Sequence, residues 1–206
     1  MGLLNLKNLI GIAYFAIFLT SFGLDQSTKL HAQKDLLVWE HESEIHNYQG
    51  KLIPLWSIGD KREGNYLGLN LHYARNTGSA WSLGENIDEA YRLPFFHTVT
   101  GACILFILWM LINTPITHYA ARLAYVMVIG GAIGNFVDRA RIGYVIDWID
   151  VDWRIMGWFY DYPVFNVADM AIVGGLIILT YDMFILEKRR IALETTQKDQ
   201  QIEQKS

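Results

Sequence analysis

The run Phe165-Asn166-Val167-Ala168-Asp169-Met170-Ala171-Ile172-Val173-Gly174-Gly175-Leu176-Ile177-Ile178-Leu179-Thr180-Tyr181-Asp182-Met183-Phe184-Ile185-Leu186 is long enough to cross a bilayer as a helix. A crossing needs about 20 predominantly apolar residues at 1.5 Å rise. The two acids, Asp169 and Asp182, stand near its ends, where a charge costs less than at the bilayer centre. Three further stretches read the same way: Leu9 to Leu24, Leu93 to Ile112, and Tyr119 to Val137 with Arg122 placed near its start to snorkel. Together they predict a mainly α membrane protein with four transmembrane helices at about 9–24, 93–112, 119–137 and 165–186. Lys7 ahead of the first run also fits a cleaved signal peptide, but the exit through Phe22-Gly23-Leu24-Asp25-Gln26 lacks a small-x-small cleavage pattern.

Composition agrees with that reading. Of 206 residues, 52% are hydrophobic and 18% charged, against roughly 45–50% and about 25% in soluble domains. Mean hydropathy is only +0.17, so the apolar residues must be gathered into segments with a polar region elsewhere. A net charge of −4 and a pI near 5.8 give no basic footprint for nucleic acid. The single cysteine, Cys103, excludes an internal disulfide, a four-cysteine zinc site and a redox pair, and its apolar surroundings suggest a structural thiol. His31, His41, His46, His72, His97 and His118 show no metal-ligand spacing, and neither a phosphate-binding glycine loop nor a GxSxG elbow occurs. No metal and no cofactor is expected.

Basic residues close to the span ends set the orientation. Lys7 before the first span and Lys188-Arg189-Arg190 after the fourth place both termini in the cytoplasm, so loops 25–92 and 138–164 lie outside. The first loop is the candidate for a small β-containing subdomain: Tyr66-Leu67-Gly68-Leu69-Asn70-Leu71-His72-Tyr73 alternates as a strand, and Leu36-Leu37-Val38-Trp39 is a weaker second. Residues 1–190 form one integral-membrane domain on this reading, and the polar residues 191–206 a cytoplasmic tail, disordered or frayed helical. Trp148, Trp153, Trp158, Tyr160 and Tyr162 crowd the second outer loop as an interfacial belt or a lipid-contacting platform.

Polar residues gather at the outer ends of the spans. They are Asp25-Gln26-Ser27-Thr28-Lys29, Asn76-Thr77-Gly78-Ser79-Ala80, Gly134-Asn135-Phe136-Val137-Asp138-Arg139, Gly143-Tyr144-Val145-Ile146-Asp147 and Asn166-Val167-Ala168-Asp169. Asp169 is the most informative, because a carboxylate inside an apolar helix needs a reason beyond the helix dipole. Two carboxylates sharing one proton supply a base to activate water and an acid for a leaving amine. Asp147 is within reach, but so are Asp138, Asp150, Asp152 and Asp161, and spacing does not choose among them. Asp25 and Lys29 are i, i+4 if the first helix continues, which alone would make only a weak ion pair. Asn135 and Asn166 sit among apolar residues, where an amide needs partners, and look like orienting groups. Gly130 and Gly134 form a small-xxx-small pair suited to a close helix contact.

These five motifs, in this order, resemble the lipoprotein signal peptidase (signal peptidase II) family over most of residues 8–187. The resemblance implies a bacterial inner-membrane aspartic endopeptidase with its active site at the outer face, cutting diacylglyceryl-modified prolipoproteins before the lipidated cysteine. It implies Asp147 and Asp169 as the catalytic dyad, with Asp25, Lys29, Asn76, Gly78, Ala80, Asn135, Arg139, Asn166 and Ala168 as supporting or substrate-binding residues. Membrane lipid as a partner, a monomeric state and inhibition by globomycin-type peptides are the further expectations. Departures are Trp81 and Trp148 where phenylalanine is more usual, Met170 where a small residue often follows the second aspartate, and a long first loop. Two rival classes remain at this stage: a transporter using Asp169 and Asp182, and a metal-dependent headgroup transferase using Asp138, Asp147, Asp150 and Asp152.

Overall fold

A computed structural model describes residues 6–37, 49–62, 64–78 and 89–203. Four helices in it are long and apolar enough to span a membrane. In chain order, the helix α1 (Leu6–Leu36) is followed by strands β1 (Gln49–Gly59) and β2 (Tyr66–Asn76), then by helices α2 (Glu89–Asn113) and α3 (Tyr119–Ile142). Strands β3 (Val145–Ile155) and β4 (Trp158–Asp161) lead into α4 (Val167–Tyr181), one π-helical turn over Asp182–Leu186, and α5 (Glu187–Glu203).

Helix α3 is the hub, packed against α1, α2 and α4. Half of its apolar window is buried inside the protein, against 6% for α1 and α2, which leaves most of their apolar side chains for lipid. Glycines permit the close approach. A Cβ on Gly175 would lie 2.7 Å from Val128 Cγ2 and 2.8 Å from the Ala124 carbonyl, and one on Gly131 would meet the Ala168 carbonyl. The Gly130 and Gly134 pair turns instead toward α1: Gly130 faces Ser21, and Gly134 faces Asp25 as well as Ala168. At the far end of the bundle Arg122 donates to the Leu111 and Thr114 carbonyls at 2.9 and 2.7 Å, satisfying backbone acceptors at the end of α2.

The first helix does not stop where the apolar run ends. It continues from Leu24 to Leu36, so Asp25 and Lys29 are one helical turn apart. Leu36 is therefore helical rather than the start of a strand, and Val38 and Trp39 lie outside the described residues. The physical reason is visible in the packing: Ala32 and Leu36, four apart on one helix face, are buried with Tyr73 and Ile146 in a small core between bundle and sheet. A four-residue apolar run cannot separate a strand from a helix end by periodicity alone.

The sheet has the order β1-β2-β3-β4, antiparallel throughout. The strand expected at 66–73 is β2, but its neighbours are Gln49–Gly59 on one side and β3 on the other. Both strands β3 and β4 fall within 138–164, read from sequence as loop. Gly143, in the left-handed region at φ 83°, closes α3 by donating its N–H to the Arg139 carbonyl, and β3 begins two residues later. The β3–β4 turn is Met156-Gly157, both at positive φ, the backbone sense that suits a two-residue hairpin. At the other end of the chain, α4, the π turn and α5 run on to Glu203 without a break at residue 190.

Candidate active site

Asn166 begins the site. It is the N-cap of α4, accepting from the Asp169 N–H at 3.0 Å, while the Asp169 carboxylate accepts from the Asn166 N–H at 3.2 Å. This reciprocal cap fixes Asp169 in the first turn of an otherwise apolar helix. The Asn166 side-chain amide then donates to Asp147 Oδ1 at 2.6 Å and to Asn135 Oδ1 at 3.1 Å. Asn135, on α3, donates in turn to Asp169 Oδ1 at 2.9 Å. Two amides thus connect the two carboxylates.

Asp147 reaches this point through strand register. It pairs with Ala74 on β2, after a bulge between Leu71 and Ala74, and Asn76 two residues on donates to Asp147 Oδ2 at 2.9 Å. Asn76 Oδ1 accepts the Gly78 N–H, and Gly78's carbonyl accepts from Arg139 Nη2 at 2.8 Å. The guanidinium of Arg139 lies 5.2 Å over the ring of Phe96. Asp147 is only 2% exposed, whereas Asp169 is half-buried. Burial foremost, and then the like charge of Asp169, push the Asp147 carboxyl up to about 7.

Beneath the pair lies Lys29. Its ammonium, 1% exposed, reaches Asn135 Oδ1, Asp25 Oδ2 and Asp138 Oδ2, each at 2.9 Å. Three N–H donors meet three acceptors. Asp25, wholly buried, uses its other oxygen to accept the Ala168 N–H at 2.9 Å, an α4 amide that has no partner within its own helix. Gln26 donates to Asp25 Oδ2 and Asp138 Oδ1 at 3.1 and 3.0 Å, and Asp138 also accepts the Ile146 N–H at 3.3 Å.

Of the residues expected at the site, Asp25, Lys29, Asn76, Gly78, Asn135, Arg139, Asp147, Asn166, Ala168 and Asp169 join one hydrogen-bonded constellation. Ala80, like Trp81, lies outside the described residues. Two members were not among the expected supporting residues: Asp138, weighed only as an alternative partner of Asp169 or a metal ligand, and Gln26, quoted only inside its motif. A signal existed for the first: Gly131, Gly134, Asn135 and Asp138 recur at i, i+3, i+4, i+7 and so share one face of α3. Asp150 and Asp152 stand elsewhere on the sheet, taking bonds from Asn70, and Asp152 also pairs with Lys61. Asp182 is held by Arg190 at 2.6 Å near the other end of its helix, away from the dyad. Trp148 packs against the core between bundle and sheet, and Met170 points outward from α4, 54% exposed.

Comparison with known proteins is consistent along nearly the whole chain. The peptidase A8 family model, signal peptidase (SPase) II, matches residues 17–185. The lipoprotein signal peptidase of Enterococcus faecalis is 32% identical over 179 residues, covering 86% of this chain and 91% of that one. That of Geobacter sulfurreducens is 33% identical over 175 residues, covering 85% and 93%. Two solved bacterial membrane enzyme structures, determined by the in meso method at 2.3 and 1.9 Å, share the fold with TM-scores of 0.60 and 0.61 at 24% identity. They cover 86% and 84% of this chain, and 89% and 93% of their own.

Proposed function

The chain belongs to the signal peptidase II family, and from that membership we propose that Asp147 and Asp169 are its catalytic dyad, acting on prolipoproteins at the outer face of the membrane. As a lipoprotein signal peptidase it is a membrane protease that removes signal peptides in bacterial lipoprotein maturation. The observation that carries the assignment is the amide bridge: Asn166 and Asn135 bind both carboxylates and each other, so the two acids are held as a unit.

Chemistry follows from that arrangement. Two carboxylates held in one network near lipid do not both ionise cheaply, so the dyad retains one proton. Its ionised member takes a proton from a water as the oxygen attacks the scissile carbonyl, and the protonated member first polarises that carbonyl and then protonates the leaving amine. A coupled pair titrates as a unit, so the roles belong to the pair. Neither Asn166 nor Asn135 can take the proton; they hold the carboxylates in register. Lys29 holds the Asn135 amide, Asp25 and Asp138 hold Lys29, Asn76 holds Asp147, and Arg139 with Gly78 borders the peptide. The half-buried Asp169 is the side open to substrate.

The remaining parts of the reading have their own support. Lys7 and Lys188-Arg189-Arg190 favour cytoplasmic termini by the distribution of basic residues. Residues 1–190 act as one membrane domain and as a monomer, with the substrate's diacylglyceryl chains in the bilayer fixing the cleavage site, so anchoring contributes orientation as well as affinity. Globomycin-type peptides compete at the dyad.

The test is cleavage of a diacylglyceryl-modified prolipoprotein by the purified chain in detergent with EDTA, beside the unmodified precursor and the Asp147→Asn and Asp169→Asn variants. Cleavage of the lipidated substrate alone is expected, with each variant losing at least about 100-fold in rate while remaining folded. Retained activity in either variant overturns the dyad.

A further inference from the structure

The sheet departs from ordinary antiparallel behaviour at the end farthest from the dyad. Such sheets commonly bury one face and solvate the other. Strand β4 buries neither: Trp158, Phe159, Tyr160 and Asp161 are all exposed, at 83% for Trp158. Across the turn Met156 is 89% exposed and Ile155 56%, and Ile58 at the end of β1 is 60% exposed. Register brings these together, since Gly59 pairs with Tyr66, Tyr66 with Arg154 and Arg154 with Phe159. The two hairpin ends thus form one tip, tied by the Met156 N–H donating to Asn65 Oδ1.

Cations line the aromatics there. Lys61 lies 5.3 Å from the Phe159 ring centroid, and Arg154 5.8 Å from the same ring. Apolar tips flanked by aromatics and long basic side chains suit the water–lipid boundary, where the stems stay apolar and the charges reach the headgroups. Position makes the boundary reachable. Two residues separate β3 from α3, a helix long and apolar enough to span a membrane, and the 11 residues of the strand extend about 36 Å. A sheet standing upright would carry its most apolar end farthest into water; a sheet lying along the bilayer returns that end to the surface already occupied by the spans.

We propose that the β1–β2 and β3–β4 hairpin tips insert Met156, Trp158 and Ile58 into the outer-leaflet interface of the bilayer, making the sheet a second membrane contact beside the four helices. Its occupant is lipid, not a second protein.

The test uses the full chain in phosphatidylcholine vesicles with Cys103→Ser as background and Met156→Cys carrying an environment-sensitive fluorophore; Trp158→Cys serves as a second labelling position, and Lys198→Cys on exposed α5 as the aqueous reference. The expected result is blue-shifted emission at 156 and 158, quenched by lipids bearing a spin label high on the acyl chain and protected from aqueous iodide, while 198 shows the reverse. Iodide quenching at both tip positions without lipid quenching overturns the proposal by placing the tip in water. Protection from both quenchers overturns it in favour of a protein partner or a second copy.

Discussion

Lys29, 1% exposed, spends all three of its N–H groups on Asn135 and on the buried carboxylates of Asp25 and Asp138. Replacing it by Met keeps the apolar stem but leaves Asp25 and Asp138 without their cation, a loss that costs about 3–5 kcal/mol for a broken buried pair. Lys29→Met is expected to lower the thermal midpoint in detergent sharply and to abolish cleavage. Asp147 gives the opposite sign. Its folded carboxyl sits near 7 against the ordinary 3.8, so between those values the folded chain holds a proton that the unfolded chain has lost. Stability due to this group is therefore present at low pH and declines as pH rises through that window. Asp147→Asn removes the decline: its thermal midpoint exceeds that of the parent at pH 8, and the gap narrows as pH falls through the window and is smallest below 3.8. A gap of the same size above and below the window contradicts burial as the cause.

At the scale of elements, the α3–α4 seam decides whether the dyad meets. Gly175→Val places methyl groups where Val128 and the Ala124 carbonyl already are, an overpacking that costs about 1–3 kcal/mol and shifts α4 along with Asp169. Gly101→Ala on α2 has open space around it and a better helix former in place, so its midpoint is expected to stay level or rise by the equivalent of about 1 kcal/mol. Thermal unfolding of the two variants side by side checks both. The same elements show what was legible in advance. Uncharged runs announced the four spans because lipid imposes length and polarity on every helix. Asp169, Asn135 and Asn166 stood out because polar groups near lipid are costly, whereas Asp147 was one of several acids within reach and was marked, with the other partners, only by the family resemblance. Strands β3 and β4 were hidden, since Trp148-Ile149-Asp150-Val151-Asp152-Trp153 places acids on a sheet face that buries them against Asn70 and Lys61, and no pattern of hydrophobicity foretells that. The extension of α1 was equally silent until Tyr73 and Ile146 supplied the surface that Leu36 covers.

For the whole molecule, the end that carries the proposed dyad and the far end are separable. Residues 191–203 continue α5 as an exposed helix whose element, α5, packs against the preceding π-helical turn rather than the elements that carry the two carboxylates. Arg190 itself holds Asp182 and Glu187. A chain ending at Arg190 is expected to keep its cleavage rate and thermal midpoint, whereas Arg190→Ala in the full chain lowers the midpoint by leaving Asp182 buried and unpaired; paired assays of activity and unfolding distinguish the two. The bond between Asp25 and the Ala168 N–H joins residues 143 apart in sequence. During synthesis Asp25 therefore waits for nearly the entire chain to follow it into the bilayer, whereas Lys29 finds Asp25 within its own helix and meets Asn135 and Asp138 once α3 arrives. The nascent protein carries an unfinished protease past every earlier stage of insertion, and becomes dangerous to passing signal peptides only when its last span docks.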